Sequence, residues 1–126
     1  MSKTTYQGPS KNLELYEKVV ATNPQIARKG AGTPYTSVNG NMFSFLTETG
    51  ILALRLGAEE REKFLKKFET RLSVRYGMVM KEYVEVPAAL LENTQELKQY
   101  FDRSYAYAAS LKPKPTTKKG TDKNVT

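Results

Sequence analysis

Asn39-Gly40 is the pair of residues that most restricts how this chain can fold. A two-residue hairpin turn of type I′ needs positive φ at both central positions, which asparagine tolerates and glycine adopts freely. Apolar segments flank the pair, residues 35–38 before it and 42–47 after it, so the chain is expected to double back here as two antiparallel strands. Glu48-Thr49-Gly50 marks another turn, and residues 51–56 supply a third strand, completing a meander. Upstream, residues 26–29 are expected to be extended as well, forming one strand with 35–38 that bulges or breaks at Gly30-Ala31-Gly32.

Helical spacing brackets this meander. Leu13, Tyr16, Val19 and Val20 recur on one face behind Ser10 and Asn12, either of which is a candidate cap, and Asn23-Pro24 stops the pattern. Residues 58–69 carry Phe64, Leu65 and Phe68 as an apolar stripe, with Glu59, Glu60 and Glu62 at the positive end of the helix dipole. Leu72, Val74 and Tyr76 then alternate with Ser73 and Arg75, and after Gly77 a second extended run ends at Val86, so two paired strands are expected. Pro87 suits the first position of a short helical turn, and Asn93 followed by Glu96 makes a capping box for a last helix with Leu97, Phe101, Ser104, Tyr105, Ala108 and Leu111 on one face. The predicted fold class is a two-layer α+β domain: a five-stranded antiparallel sheet with helices mainly on one face, in the order α-β-β-β-α-β-β-α.

Segment composition sets the domain limits. Residues 1–11 and 112–126 are polar and offer little to bury, so both are expected to lack order around one domain at 12–111. The net charge of +7 lies mostly in those ends: Lys3 and Lys11 carry two charges, the segment from Lys112 onward carries a surplus of four, and the body is left with +1. A folded surface with that balance does not by itself announce a polyanion partner. No apolar run approaches the ~20 residues of a membrane span, and the first residues lack a signal segment, so cytoplasm is the expected location and no membrane partner is expected.

Cysteine and histidine are both absent. That removes disulfides, thiolate nucleophiles, imidazole bases and the usual ligands of zinc, haem and iron–sulfur clusters, so no catalytic residue, cofactor site or metal site is assigned. The clustered glutamates at 59, 60 and 62 are explained by dipole stabilisation. Gly30-Ala31-Gly32 has neither the motif context nor the following helix of a phosphate cradle. Tyr100, Tyr105 and Tyr107, with Arg103, have the composition of a base-stacking surface, but a single helix distributes them over several faces, as core and rim residues.

The segments Asn39-Gly40-Asn41-Met42-Phe43-Ser44-Phe45 and Gly50-Ile51-Leu52-Ala53-Leu54-Arg55-Leu56 resemble the first strands of the TfoX/Sxy N-terminal domain, a family of bacterial competence regulators. Met80-Lys81-Glu82-Tyr83-Val84-Glu85-Val86-Pro87, Leu90-Leu91-Glu92 and the helix through Leu97, Tyr100, Ser104 and Ala108 are similar to its closing strand, its Val-Pro corner and its last helix. Lys29-Gly30-Ala31-Gly32 stands where the family usually has Met-Phe-Gly-Gly, and a lysine-rich segment stands where the two-domain regulators carry a helical domain. The resemblance implies a secretion-chaperone-like fold and a stand-alone N-terminal domain that acts in transcriptional or competence-type regulation as a regulator or adaptor, through contacts with a protein partner such as a transcription regulator or through self-association, possessing no catalytic residues. Two alternatives stand beside it: auxiliary, weak nucleic-acid binding through the basic tail, and small-ligand binding. The candidate contacts for a protein partner or nucleic acid are Arg28, Lys29, Tyr107, Lys112, Lys114, Lys118 and Lys119.

Overall fold

The computed structural model describes residues 6–113. Its elements are α1 (Ser10–Val20), β1 (Tyr35–Val38), β2 (Asn41–Leu46), β3 (Leu52–Arg55), α2 (Ala58–Lys67), β4 (Leu72–Arg75), β5 (Met78–Glu85), α3 (Ala88–Leu91) and α4 (Thr94–Ser110). The strands form one antiparallel sheet in the order β1-β2-β3-β5-β4, so β1 and β4 are its edges. Of the two terminal segments expected to lack order, residues 1–5 and 114–126 lie outside the described residues.

Turn chemistry sets the meander. Asn39 and Gly40 have φ of 54° and 79°, the two positive values the type I′ hairpin requires. At the β2–β3 turn, Gly50 has φ 89° and its N–H donates to Thr47 O (2.9 Å), while the Thr47 hydroxyl accepts from Ile51 N (3.0 Å). Asn12 donates its amide to Gly50 O (2.8 Å) and so ties α1 to this turn. Neither Asn12 nor Ser10 caps α1: the helix starts at Ser10 behind Pro9, whose φ of −62° already suits a helix entry. Asn93 does cap α4, its side chain accepting from Glu96 N at 3.2 Å.

The expected strand at 26–29 does not form. Ile26 N closes a turn onto Asn23 O, and the only sheet-like pairing there is Lys29 with Tyr35, which bond to each other through both N–H groups (2.8 and 2.9 Å). Gly30, at φ 82°, turns the chain inside that loop. The bulge lies further on: Thr36 pairs with Ser44 and Ser37 with Met42, which leaves Phe43 without a partner. A bulge re-aims side chains, and here Phe43 and Ser44 both face the helices: Phe43 packs on Phe101, and Ser44 Oγ bonds Tyr16 Oη at 2.6 Å. α2 also ends earlier than its apolar stripe suggests, because Glu69 enters the left-handed region (φ 50°) and Thr70 N donates back to Leu65 O.

The core lies between sheet and helices. Phe43, Leu46, Leu52, Leu54, Leu56, Val84 and Val86 from the sheet meet Tyr16, Val19, Phe64, Leu97, Phe101 and Ala108 from the helices. α4 lies across β1, β2 and β3, α2 against β5, and α1 and α3 pack on α4. The small residue Ser104 permits this close approach: its buried hydroxyl lies 2.8 Å from Phe43 O and 2.6 Å from Arg55 O, with one proton to give. Among the described residues the opposite face has no helix, yet Phe45 and Ala53 on it are fully buried. The Tyr83 ring (5.4 Å between centroids) and the Arg75 guanidinium (4.9 Å from the Phe45 ring) cover Phe45 instead.

Candidate functional site

The two basic candidates of the folded body, Arg28 and Lys29, differ in how they are engaged. Arg28 donates Nε to Glu17 Oε2 (2.8 Å) and Nη1 to Gly30 O (2.7 Å), so its charge is used to close the 29–35 loop onto α1. Lys29 beside it is exposed and reaches only Ser37 Oγ, at 3.5 Å. Lys112 contributes its carbonyl, which accepts from the buried Asn41 amide at 3.2 Å. Lys114, Lys118 and Lys119 lie outside the described residues. In α4, Tyr100 is buried among Phe64, Phe68 and the Arg103 guanidinium, and Arg103 pairs with Glu60 at 3.0 Å. Tyr105 packs edge-on to Phe43. These rings are spent on packing, as a distribution over several faces implies.

Tyr107 belongs to a polar cluster at the end of β3. Its hydroxyl donates to Glu82 Oε2 (3.0 Å), and Arg55 donates Nε to Glu82 Oε1 (2.7 Å). Arg55 also reaches Met42 O (3.3 Å), to which Tyr83 donates its hydroxyl (2.8 Å), and its guanidinium lies 5.7 and 5.9 Å from the Tyr83 and Tyr107 rings. Burial disfavours the Glu82 carboxylate, but the hydrogen bonds from Arg55 and Tyr107, with the Arg55 and Arg61 charges, outweigh it and hold Glu82 below the usual carboxylate range. Burial and the bond to Glu82 push Tyr107 up, so it stays a donor. Every member is satisfied, and the arrangement is that of a structural clasp joining α4 to β3 and β5. Sequence proximity gives no sign of it, because Arg55, Glu82 and Tyr107 are brought together only by the sheet order.

Exposed apolar area is concentrated in the β4–β5 hairpin. Its turn is Tyr76-Gly77, with φ of 53° and 76°, again type I′. A bulky aromatic at positive φ is strained by roughly 1 kcal/mol. Tyr76 is nevertheless 89% exposed, and Met78 (71%), Val79 (54%) and Val74 (50%) stand beside it. These four are the large apolar residues exposed among those described. Arg75 lies beneath Tyr76, 5.1 Å from its ring, and donates Nη2 to its hydroxyl at 3.2 Å. On the sheet's open face, Arg71, Ser73, Arg75, Tyr76 and Glu85 line a shallow concavity of about 270 Å³, closed at its far side by the β2–β3 turn. The alternation of Leu72, Val74 and Tyr76 points to a strand with one apolar face; it carries no sign that the strand overhangs the helical layer.

A family model described as the TfoX N-terminal domain matches residues 21–108, which begin just after α1 and end within α4. No curated protein and no solved structure matches the chain.

Proposed function

The chain belongs to the TfoX N-terminal domain family, a regulatory-type family, and on that premise we propose that it is a non-enzymatic regulatory or adaptor domain acting through protein–protein contacts. The observation that carries this is the hairpin: Val74, Tyr76, Met78 and Val79 project apolar area into solvent from a turn strained at Tyr76, an arrangement that costs stability. The chemistry of the chain agrees. The sequence has no histidine or cysteine, and the half-buried carboxylate of Glu82 is tied by Arg55 and Tyr107. The concavities hold about 250 to 470 Å³ and are shallow, a poor match to an enclosed small-molecule site. No helix among the described residues is long and apolar enough to cross a membrane.

Affinity purification from the host with the full chain and with Tyr76→Asn tests the reading. A protein recovered at stoichiometric levels with the native chain and lost with the variant supports it; recovery of none, with the chain monomeric at high concentration, overturns it. Titration of labelled duplex DNA at low and at physiological salt separates the nucleic-acid alternative, which requires binding that survives physiological salt.

A further inference from the structure

The edge strand β4 is open, and its two faces differ in chemistry. Glu85 N donates to Arg71 O (2.9 Å), one residue outside the Leu72–Val84 pair, so Leu72 holds a non-hydrogen-bonded position toward β5 and turns its own N–H and C=O to the free edge. The register of the β4–β5 ladder shifts between Leu72 and Val74, so the Val74 orientation is set from the turn instead: the two-residue turn makes Arg75–Met78 the closing pair of the hairpin, which points the Val74 N–H and C=O outward as well. Beside this edge, on the helix side, runs a groove of about 470 Å³ between α2 and β4, lined by Ala58, Leu65 and Leu72 and rimmed by Glu59, Arg61 and Glu62 of α2. On the other side of the strand stand Arg71 and Arg75. Arg71 is well exposed beyond its bond to Glu85, and among the described residues Arg75 has the Phe45 and Tyr76 rings and the Tyr76 hydroxyl as partners.

We propose that the free edge of β4 receives an extended segment of a partner protein in which apolar and acidic residues alternate, adding a sixth strand to the sheet. This rests on the protein-contact reading and specifies its surface. Strand addition satisfies the outward backbone groups of Leu72 and Val74, and side chains of the added strand alternate in direction with period two. Every second residue then enters the α2–β4 groove against Leu65 and Leu72, and the residues between them meet Arg71 and Arg75. Glu85 lies one strand further in and is already engaged by Arg71, Glu48 stands at the far side of the concavity that Arg71 and Arg75 line, and Glu59 and Glu62 lie on the groove side of the strand, where the apolar residues of the segment enter. A second copy fits the edge less well. Antiparallel pairing of β4 with itself about Ser73 sets Arg71 opposite Arg75 at both ends, and like charges directly opposed are destabilising.

The test uses the ¹⁵N-labelled full chain and two peptides of about six residues, the usual strand length, one alternating valine with glutamate and the other valine with lysine. The expected result is amide shifts and slowed exchange centred on Leu72, Ser73 and Val74, with the glutamate peptide preferred by about tenfold, the scale of two or three favourable cross-strand pairs. Arg75→Glu should bring that preference to about one or invert it. Val74→Pro, which removes an outward N–H without touching the ladder, should abolish binding, whereas Val74→Thr should retain it. Equal binding of both peptides, shifts centred elsewhere, or unchanged binding by Val74→Pro overturns the proposal. So does a dimer in sedimentation that Val74→Pro dissolves, because the edge then belongs to a second copy. If the peptides fail while a stoichiometric partner is still lost on Tyr76→Asn, strand addition falls and the protein-contact reading stands; if both fail, both are wrong.

Discussion

Glu82 anchors the clasp between α4 and the sheet, and its replacement by glutamine has an effect that the geometry bounds. The carboxylate accepts from Arg55 Nε at 2.7 Å and from Tyr107 Oη at 3.0 Å. Glutamine keeps the shape and one acceptor but loses the charge and turns an amide toward one of two donors. Hydrogen bonds to charged groups contribute about 1.5–3 kcal/mol when protected, and exposed ion pairs under about 1 kcal/mol. Arg55 has a side chain 17% exposed and Glu82 one 35% exposed, an intermediate case, so Glu82→Gln should cost about 1–2 kcal/mol near neutral pH. For a domain of this size each kcal/mol lowers Tm by roughly 4–8 °C. The pH dependence carries the sharper test. Because the folded-state pKa of Glu82 is depressed, its contribution is present above the unfolded value of about 4.3 and is lost as pH falls through the lowered folded value. Thermal melts of the two proteins from pH 7 down to pH 3 should therefore show a gap that closes in acid. A gap that persists unchanged at pH 3, or none at pH 7, would refute the reasoning.

Tyr16→Phe removes a buried hydroxyl that bonds Ser44 within the Tyr16–Ser44–Thr36 network and should cost about 1 kcal/mol by denaturant melt. Because burial raises the Tyr16 pKa, the native protein should lose stability as pH rises above about 10, and the variant less so. Gly50→Ala should destabilise more than Gly77→Ala. Both have positive φ, but a methyl at Gly50 would lie 2.6 Å from Asn12 Nδ2, whereas nothing lies within 4 Å at Gly77; equal losses would count against the α1 anchor. Tyr76→Asn should leave the fold as stable as the native chain or stabilise it by about 0.5 kcal/mol, since asparagine tolerates positive φ; a loss above about 1 kcal/mol would show that Tyr76 serves the fold.

What could be foreseen from sequence divides along local and long-range lines. The Asn39-Gly40 turn and the Asn93–Glu96 cap are formed by residues within three positions of one another, so residue type alone reveals them. Tyr76-Gly77 repeats the first turn but hides its nature, because tyrosine is an unlikely occupant of positive φ. Residues 26–29 have strand-like composition, yet Arg28 is captured by Glu17 of α1, a contact no local pattern encodes. The placing of β5 between β3 and β4 rests on the pairing of Leu54 with Val84 and on Leu56 N donating to Glu82 O, some thirty residues apart. That order places β4 at an edge, and with it the candidate surface, so the proposed contact surface depends on the least local pairing and is the least visible in sequence. Of the candidate contacts, Arg28 bonds Glu17 and Tyr107 bonds Glu82, pairings that join distant segments and that no local pattern encodes.

The central claim is that the β4–β5 hairpin is a protein-contact surface maintained at some expense of stability. The most direct measurement is affinity purification of the full chain and of Tyr76→Asn from the host, at matched folded concentration and with Tm recorded for both. The account predicts a stoichiometric protein partner for the native chain that is lost with a variant of equal or higher Tm. The same partner recovered with both chains, or none with either, would contradict it.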